Sequence, residues 1–493
     1  NIKKLQQKTY DLLVIGGGIN GAAIAHTAAL NGLKTALLEK GDFASGTSSK
    51  STKLIHGGLR YLENFELGLV WESLRERSIH LKNSPHLVHP LKFIIPVYEN
   101  DQRSLRMMKF GVWLYDFLSG GHNVDEHRSL TAEEVASLVP GVCREGLLGG
   151  VCYGDAQMND ARLCLENILR ADEKGADVAN YCEVQSFVYM GERAIGVEAY
   201  DHIFKESFKV FSENIVCSVG PWVNTFSKKD QGEPTPEVRT TKGVHIVVRG
   251  EVSRHAVLIP ARGDQRVFFA IPWMGNTMIG TTDTDFKGNP DDVTIQQEDI
   301  DYLTQETKRV FPNLDLDKHN MVTAFAGLRP LVSSQGNPSR VSRKHKIETS
   351  SSGVMYVTGG KYTTCRAIAH DVVGQVTKKM LIDTRTSFPV YGSGVIPENT
   401  LKWSDSYGVE EKLVDELKSF YGTHFSDVLT LIDRDPSLKN PICFCSSVIG
   451  AQIVYAIETE MACKEEDIIM RRLMLGYTYC ESKKCREFIS MRI

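Results

Sequence analysis

Lys53-Leu54-Ile55-His56-Gly57-Gly58-Leu59-Arg60-Tyr61-Leu62 is the stretch of this chain whose residue types most suggest catalysis. His56 and Arg60 stand four apart, a spacing that on a helical turn puts them on one face. The adjacent glycines between them let a ligand or a flat ring approach the backbone. Imidazole suits removal of a hydroxyl proton near neutral pH. Guanidinium suits a phosphate or an alkoxide. On residue types alone, the string is also that of a helix-start histidine beside a surface arginine, and both readings stand.

A second string points to a ligand class. Gly16-Gly17-Gly18-Ile19-Asn20-Gly21 follows an apolar run, Tyr10 to Ile15, and opens an Ala-rich helical stretch from Ile19 to Asn31. In such a GxGxxG, Gly16 makes the tight turn, Gly18 lets the backbone approach a pyrophosphate, and Gly21 lets helix and strand pack closely. The helix N-terminus offers N–H groups and a positive dipole end to phosphates. Glu39 ends the next short strand at the spacing of an acid that binds an adenosine ribose. The fingerprint serves FAD and NAD alike. Two features favour FAD: the small polar stretch Ser45 to Thr52, able to line a long cofactor, and Gly359-Gly360-Lys361 opening a late helix. The dipole of that helix would face a flavin edge where negative charge appears on reduction.

The elements that position these groups follow from periodicity. The strand–Gly–helix–strand unit begins a parallel α/β sheet. Residues 50–85 read as helical and amphipathic, and Leu91 to Tyr98 as a strand. Short alternating runs between Val238 and Thr281 predict an antiparallel sheet. Residues 212–220 and 353–373 again resemble pieces of the first unit. The expected fold class is therefore α/β (α+β overall). A Rossmann-like FAD-binding domain draws on residues 1–85, 145–235 and 340–385. An antiparallel β substrate domain uses 86–144 and 236–339. A helical C-terminal cap spans 389–493, with helices at 409–421, 447–462 and 465–475.

Composition narrows the function. With 493 residues, 42% of them hydrophobic, the chain can bury the cores of two or three domains. A net charge of −4 gives no reason to expect nucleic acid. The eleven cysteines are scattered, with no CxxC, and read as reduced thiols. Cys443 and Cys445 lack zinc-knuckle spacing, and no HExxH occurs, so no metal site is expected. The acidic segment 282–292 lacks the glutamate that closes a calcium loop and reads as a turn. There is no secretory apolar core near the start and no run long enough to span a membrane. The stretch 103–118, RSLRMMKFGVWLYDFL, fits either an interfacial helix or a buried one.

Residues 10 to about 375 resemble the FAD-dependent glycerol-3-phosphate dehydrogenases, glutathione-reductase-like flavoproteins with a D-amino-acid-oxidase-type substrate domain. The resemblance rests on VIGGGINGA, TSSKSTKLIHGGLRYLE, GPWVN, KGVHIVV, IPWMGNTMIGTTDTD, AGLRPL and TGGKYTTCR, in that order. The tail IETEMACKEEDIIMRRLMLGY resembles the family's C-terminal helical domain. It implies that His56, Arg60 and Lys361 are catalytic, with Arg60, Tyr61, Arg329, Arg343 and Lys361 binding substrate. It also implies a cofactor lining. Thr47, Ser48, Ser49, Lys53, Leu54 and His56 come from TSSKSTKLIHGGLRYLE, Gly220 from GPWVN, and Gly359, Gly360 and Thr363 from TGGKYTT.

The implied reaction oxidises sn-glycerol 3-phosphate to dihydroxyacetone phosphate, with electrons passed to a quinone. The implied location is peripheral, on the cytoplasmic face of a bacterial inner membrane or on a mitochondrial inner membrane. A homodimer is among the assemblies to be expected. Three alternatives stay open: an oxidase that forms peroxide, an amine or amino-acid oxidase of the same architecture, and a flavin-binding protein without turnover.

Overall fold

The computed structural model describes residues 2–493 apart from 235, 262–265, 333–344, 378–379, 385–387 and 481–483. The side chains of Arg60, Glu63 and Asn64 also lie outside the described set. Arg343 falls within 333–344.

Leu12–Ile15 is buried on both faces, as a continuous apolar strand in a parallel sheet must be. It is central to a six-stranded sheet ordered 345–349, 354–359, 215–217, 12–15, 35–38 and 177–179. All pairs are parallel except His345–Thr349 against Val354–Gly359. Helices Ile19–Leu30, Asp160–Glu173 and Cys365–Thr377 share one apolar core against this sheet. A four-stranded sheet covers the other face, burying Phe187, Val197 and Val210 against Leu13, Ile15 and Leu38. A doubly covered sheet of this order leaves its open edge at the carboxyl ends of the strands, where ligands bind.

The second body is a ten-stranded, mostly antiparallel sheet. Val238–Arg249 pairs with Asn276–Gly280 on one side and Met321–Val332 on the other. Val88–Tyr98 pairs antiparallel with Leu147–Met158, so the segment 147–158 joins this sheet rather than the Rossmann-like one. The helix expected over 50–85 is confined to Leu67–Asn83. Ahead of it, Leu54–Ile55 is extended and pairs with Ala156 and Gln157. Gly58 then takes a left-handed φ of 82°, and Leu59–Asn64 forms a 3-10 turn. His56 and Arg60 therefore do not share a helical face; the glycine pair turns the chain between them.

The C-terminal region is helical, as expected, with helices at Glu411–Tyr421, Phe425–Arg434 and Gly450–Glu458. A short hairpin, Pro441–Cys443 with Ser446–Ile449, interrupts them and displaces the expected start of the helix from 447 to 450. Among the described residues no helix is long and apolar enough to cross a membrane.

Lys53 marks where all three regions meet. Its side chain is fully buried, with Nζ donating to Asp160 Oδ1 at 2.6 Å and to the Ser49 carbonyl at 2.7 Å. The ring centroids of Trp273, Phe325 and Tyr477 lie 5.1–5.7 Å away. Burial disfavours the ammonium, yet the Asp160 carboxylate outweighs it and holds the charged form. Removing one partner strands the other charge, which typically costs about 3–5 kcal/mol. Asp160→Asn is accordingly expected to lower the melting temperature sharply, and adding Lys53→Met to recover part of the loss. Recovery in the double variant, followed by thermal unfolding of the flavin-loaded protein, tests the pairing; a double variant no better than Asp160→Asn contradicts it.

Candidate active site

A cavity of about 1280 Å³ runs from the glycine loop to the junction of the two large sheets. Drug-sized pockets hold roughly 300–1,000 Å³, so this one suits a dinucleotide together with a small substrate. Its lining includes Gly16, Gly18, Glu39, Thr47, Ser48 and Gly220, together with Leu54, His56, Tyr61, Arg329, Gly359, Gly360, Lys361 and Thr363.

The glycine loop has the geometry that its spacing predicts. Gly16 takes φ 106°, and a Cβ there would stand 2.5 Å from the Ser218 carbonyl oxygen. A Cβ on Gly21 would stand 1.9 Å from the Gly16 carbonyl oxygen, so helix and strand touch. Gly21 thus acts by packing and does not line the cavity. The helix start has no side-chain cap at Gly18, and Ser48 Oγ accepts from the Ile19 N–H at 2.8 Å. Glu39 closes the loop by accepting from the N–H groups of Gly17 at 2.6 Å and Gly41 at 2.8 Å. Burial raises its pKa, and those two bonds only partly offset the shift.

Two expected cofactor residues are placed elsewhere. Lys53 does not reach the cavity, because Asp160 holds its ammonium in the core. Ser49 is likewise absent from the lining and uses its carbonyl to accept from Lys53.

The part of the lining that carries His56, Lys361 and Arg329 is built by contacts between distant segments. The Gly57 N–H donates to Tyr115 Oη at 2.8 Å, Tyr115 donates to Asp155 at 2.8 Å, and Arg77 pairs with the same carboxylate at 2.6 Å. This buried chain fixes the turn that carries His56. Lys361 follows two glycines of positive φ. Its ammonium donates to Ser73 Oγ at 3.0 Å and lies 3.7 Å from the Tyr61 ring centroid. Arg329 reaches Thr281 Oγ1 at 2.7 Å, the Thr282 carbonyl at 3.3 Å and Asp283 at 3.2 Å. Only glycine at 243 permits this: a Cβ there would stand 2.3 Å from Arg329 Nη2. Arg60 contributes backbone to the 3-10 turn; its side chain, like all of Arg343, lies outside the described residues.

His245 was not expected from sequence. It lines the cavity, stacks on Phe325 with ring centroids 4.8 Å apart, and places Nε2 3.0 Å from Thr52 Oγ1. Its Nδ1 finds no partner among the described residues. Room for the ring comes from Gly280, where a Cβ would meet His245 Cδ2 at 2.3 Å. The only sequence signal was membership of the string KGVHIVV, and its buried neighbours come from strand pairing.

Residues 11–373 match the family described as FAD dependent oxidoreductase, and residues 384–487 match the C-terminal domain of alpha-glycerophosphate oxidase. The chain belongs to the FAD-dependent oxidoreductases. It is 34% identical to an aerobic glycerol-3-phosphate dehydrogenase of Staphylococcus aureus, over 95% of this chain and 87% of that one. It is 39% identical to a glycerol-3-phosphate dehydrogenase of Synechocystis, over 97% and 90% respectively. Among solved structures, the glycerol-3-phosphate dehydrogenase of Bacillus halodurans complexed with FAD superposes with a TM-score of 0.80. That match is at 28% identity and covers 100% of this chain and 95% of that one. An FAD-bound L-alpha-glycerophosphate oxidase of Mycoplasma pneumoniae shares the fold, with a TM-score of 0.58 at 19% identity over 76% and 96%. The glycine cradle, the acid at Glu39 and the size of the cavity fit the cofactor of this flavoprotein family.

The electrostatics of the oxidoreductase site yield a pH dependence. Burial, then the nearby charges of Arg329 and Lys53, push the His245 pKa well below its ordinary value of 6.5. A histidine depressed in the folded state contributes stability that is complete above the unfolded pKa and declines as pH falls beneath it. The slope approaches about 1.4 kcal/mol per pH unit for one such group. The stability of the parent is therefore expected to fall more steeply below pH 6.5 than that of His245→Gln. Melting curves across pH 5–8 check this, and parallel curves for the two proteins would contradict it.

Proposed function

We propose that the chain oxidises sn-glycerol 3-phosphate to dihydroxyacetone phosphate. The observation that carries this reading is one cavity lined both by a glycine-loop nucleotide cradle and by imidazoles with cations. The FAD-dependent family supplies the cofactor class, and relatives named glycerol-3-phosphate dehydrogenase supply the substrate class.

Bound FAD supplies the two-electron acceptor for the hydride that leaves the C2 carbon. Gly16, Gly18 and the helix start at Ile19 would hold its pyrophosphate, and Glu39 its adenosine ribose. The remaining work falls to this chain's own groups. Arg329, pre-oriented by Thr281 and Asp283, meets the substrate phosphate. Arg60 and Arg343 are proposed to share that role, because a dianion leaving water needs more than one cation. Lys361 faces the glycerol part and steadies negative charge developing at the C2 oxygen. His56 takes the C2 hydroxyl proton. His245, kept neutral, offers a second imidazole in the same cavity. Holding the phosphate at one end and the carbinol at the other turns an encounter into a positioned reaction.

We further propose that the protein works at a membrane surface and passes electrons to a quinone. Phe110, Trp113 and Phe117 project from helix Leu105–Ser119 as a stacked, exposed aromatic row, opposite a face that buries Met108, Val112 and Tyr115. Trp71 on the neighbouring helix is also exposed, and Arg106 and Lys109 add positive charge beside the row. Such a surface suits an anionic lipid interface.

Anaerobic titration with glycerol 3-phosphate should bleach the flavin. His56→Ala should slow that reduction about 100-fold with affinity little changed. Arg329→Ala should weaken substrate binding at least about tenfold. Reduction at the parent rate in both variants would refute the site assignment. Turnover yielding stoichiometric peroxide, with no reduction of a quinone analogue, would replace the quinone reading by an oxidase. For the surface, Trp113→Glu with Phe117→Glu should abolish co-sedimentation with anionic vesicles. A parent protein that fails to sediment with them would end the membrane reading.

A further inference from the structure

Four cysteines gather at one corner of the C-terminal region, remote in sequence from the glycine loop and from both catalytic strings. Cys443 and Cys445 flank Phe444 in the turn of the hairpin Pro441–Cys443/Ser446–Ile449. Cys480 and Cys485 lie just before and within the last helix, Lys484–Ser490. The Sγ atoms of Cys443, Cys445 and Cys480 are all within 4.8 Å of one another. The Cys485 Sγ is 3.5 Å from that of Cys480. None of the four is in a disulfide.

These separations discriminate among the roles open to cysteine. A disulfide brings two sulfurs to about 2.05 Å and leaves others out of the contact. Four thiolates around a tetrahedral zinc ion, with Zn–S near 2.3 Å, stand about 3.8 Å apart. The group of three within 4.8 Å and the Cys480–Cys485 pair at 3.5 Å lie near the second value and far from the first. Cys485 stands outside the mutual group of three, so closing the tetrahedron takes a turn of its side chain toward Cys443 and Cys445. Thiols also serve as small apolar core residues, and Cys443 and Cys485 are buried in that manner. Cys445 and Cys480 are not; they are half-exposed, so the group opens to solvent on one side and an ion can enter.

Both elements are small, held by the C-terminal core and by surface bonds from Ser447 to Glu416 and from Arg486 and Ser490 to Glu465. A two-stranded hairpin is marginal alone, and a seven-residue helix is shorter than helices that persist unaided. Between them they bury Ile442, Cys443, Cys485 and Ile489. Such small units gain most from a metal staple.

We propose that Cys443, Cys445, Cys480 and Cys485 form a tetrathiolate site for one structural zinc ion. As four Zn–S bonds form, four S–H protons pass to solvent, and no electron is transferred. The clamp ties the final helix to the hairpin and fixes the chain just past Tyr477. That tyrosine reaches Lys53 at 3.4 Å and accepts from the Asn276 side chain at 2.9 Å through its carbonyl. The metal thereby anchors the strap that closes the Lys53 pocket.

Elemental analysis of the full-length flavoprotein, purified without chelator or added metal, is expected to give one zinc per chain. Native thiol titration should find these four cysteines unreactive until a chelator is added. Cobalt, introduced after chelation, should produce thiolate charge-transfer bands together with the d–d spectrum of a tetrahedral ion. X-ray absorption should show sulfur neighbours alone at about 2.3 Å. Cys480→Ser with Cys485→Ser should lose the zinc while keeping flavin content. Should that variant fail to fold, the cobalt and X-ray spectra of the parent protein decide the matter. Metal-free protein with four reactive thiols overturns the proposal. So does a disulfide found by non-reducing mass spectrometry, or iron with acid-labile sulfide in place of zinc.

Discussion

A single buried ammonium binds the three regions of this protein to one another. Lys53 leaves the cofactor loop at a left-handed φ of 59° and points away from the cavity. Its charge is met by Asp160 on a Rossmann-side helix and surrounded by Trp273 and Phe325 from the large sheet and Tyr477 from the C-terminal region. A charge removed from water must be matched closely or the structure does not form. The arrangement therefore tolerates little sliding of the three regions. His56 lies three residues further on, so the same constraint sets where the imidazole enters the cavity.

The surface that carries Arg329 and His245 relies on subtraction. Arg329 and His245 occupy space that side chains at positions 243 and 280 would otherwise fill. Two adjacent strands, Val238–Arg249 and Met321–Val332, thus present a guanidinium and an imidazole on one surface. Placing a cation beside a histidine has a chemical consequence, since Arg329 and Lys53 add to burial in disfavouring the imidazolium. The ring is kept as a proton acceptor, while the guanidinium remains a charged partner for a phosphate. One electrostatic arrangement thus serves both halves of the proposed chemistry.

Local features were legible in the sequence and contacts between distant segments were not. The turn at Gly16 and the packing of Gly21 follow from the spacing of the glycines, because the constraint acts within one strand–turn–helix unit. The antiparallel runs after Val238 were readable from alternation. Helical periodicity over 50–85 misled, because Gly57 and Gly58 break the pattern without altering its apolar spacing. The resemblance implies Lys53 as a cofactor residue along with its string, whereas a buried partner turns this one residue inward. His245 and the cysteine corner escaped for the same reason. Their neighbours are supplied by pairing across the fold, and neither C-x-C nor C-x4-C announces a site by spacing alone.

The C-terminal region is also a structural part of the cofactor site. Asp42, directly before the small polar loop, is fully buried, and burial by itself would raise its pKa. Arg472 and Arg471 outweigh that effect and hold it below the ordinary range. Arg472 meets the carboxylate with two bonds of 2.7 and 2.8 Å, and Arg471 adds a third of 2.6 Å. These consecutive arginines converge on one carboxylate because Asp467–Arg472 is a π-helical turn, wider than an α-helix. Arg162, beside Asp160 on the same helix, is paired with Glu460 of the C-terminal region. Without these partners, Asp42 would seek water, and the loop running to Thr52 would lose the anchor at its start. The docked C-terminal helices therefore support the start of the cofactor loop. A chain cut at the end of the flavin-binding family region would keep its glycine fingerprint and still lack the means to hold the loop that follows it.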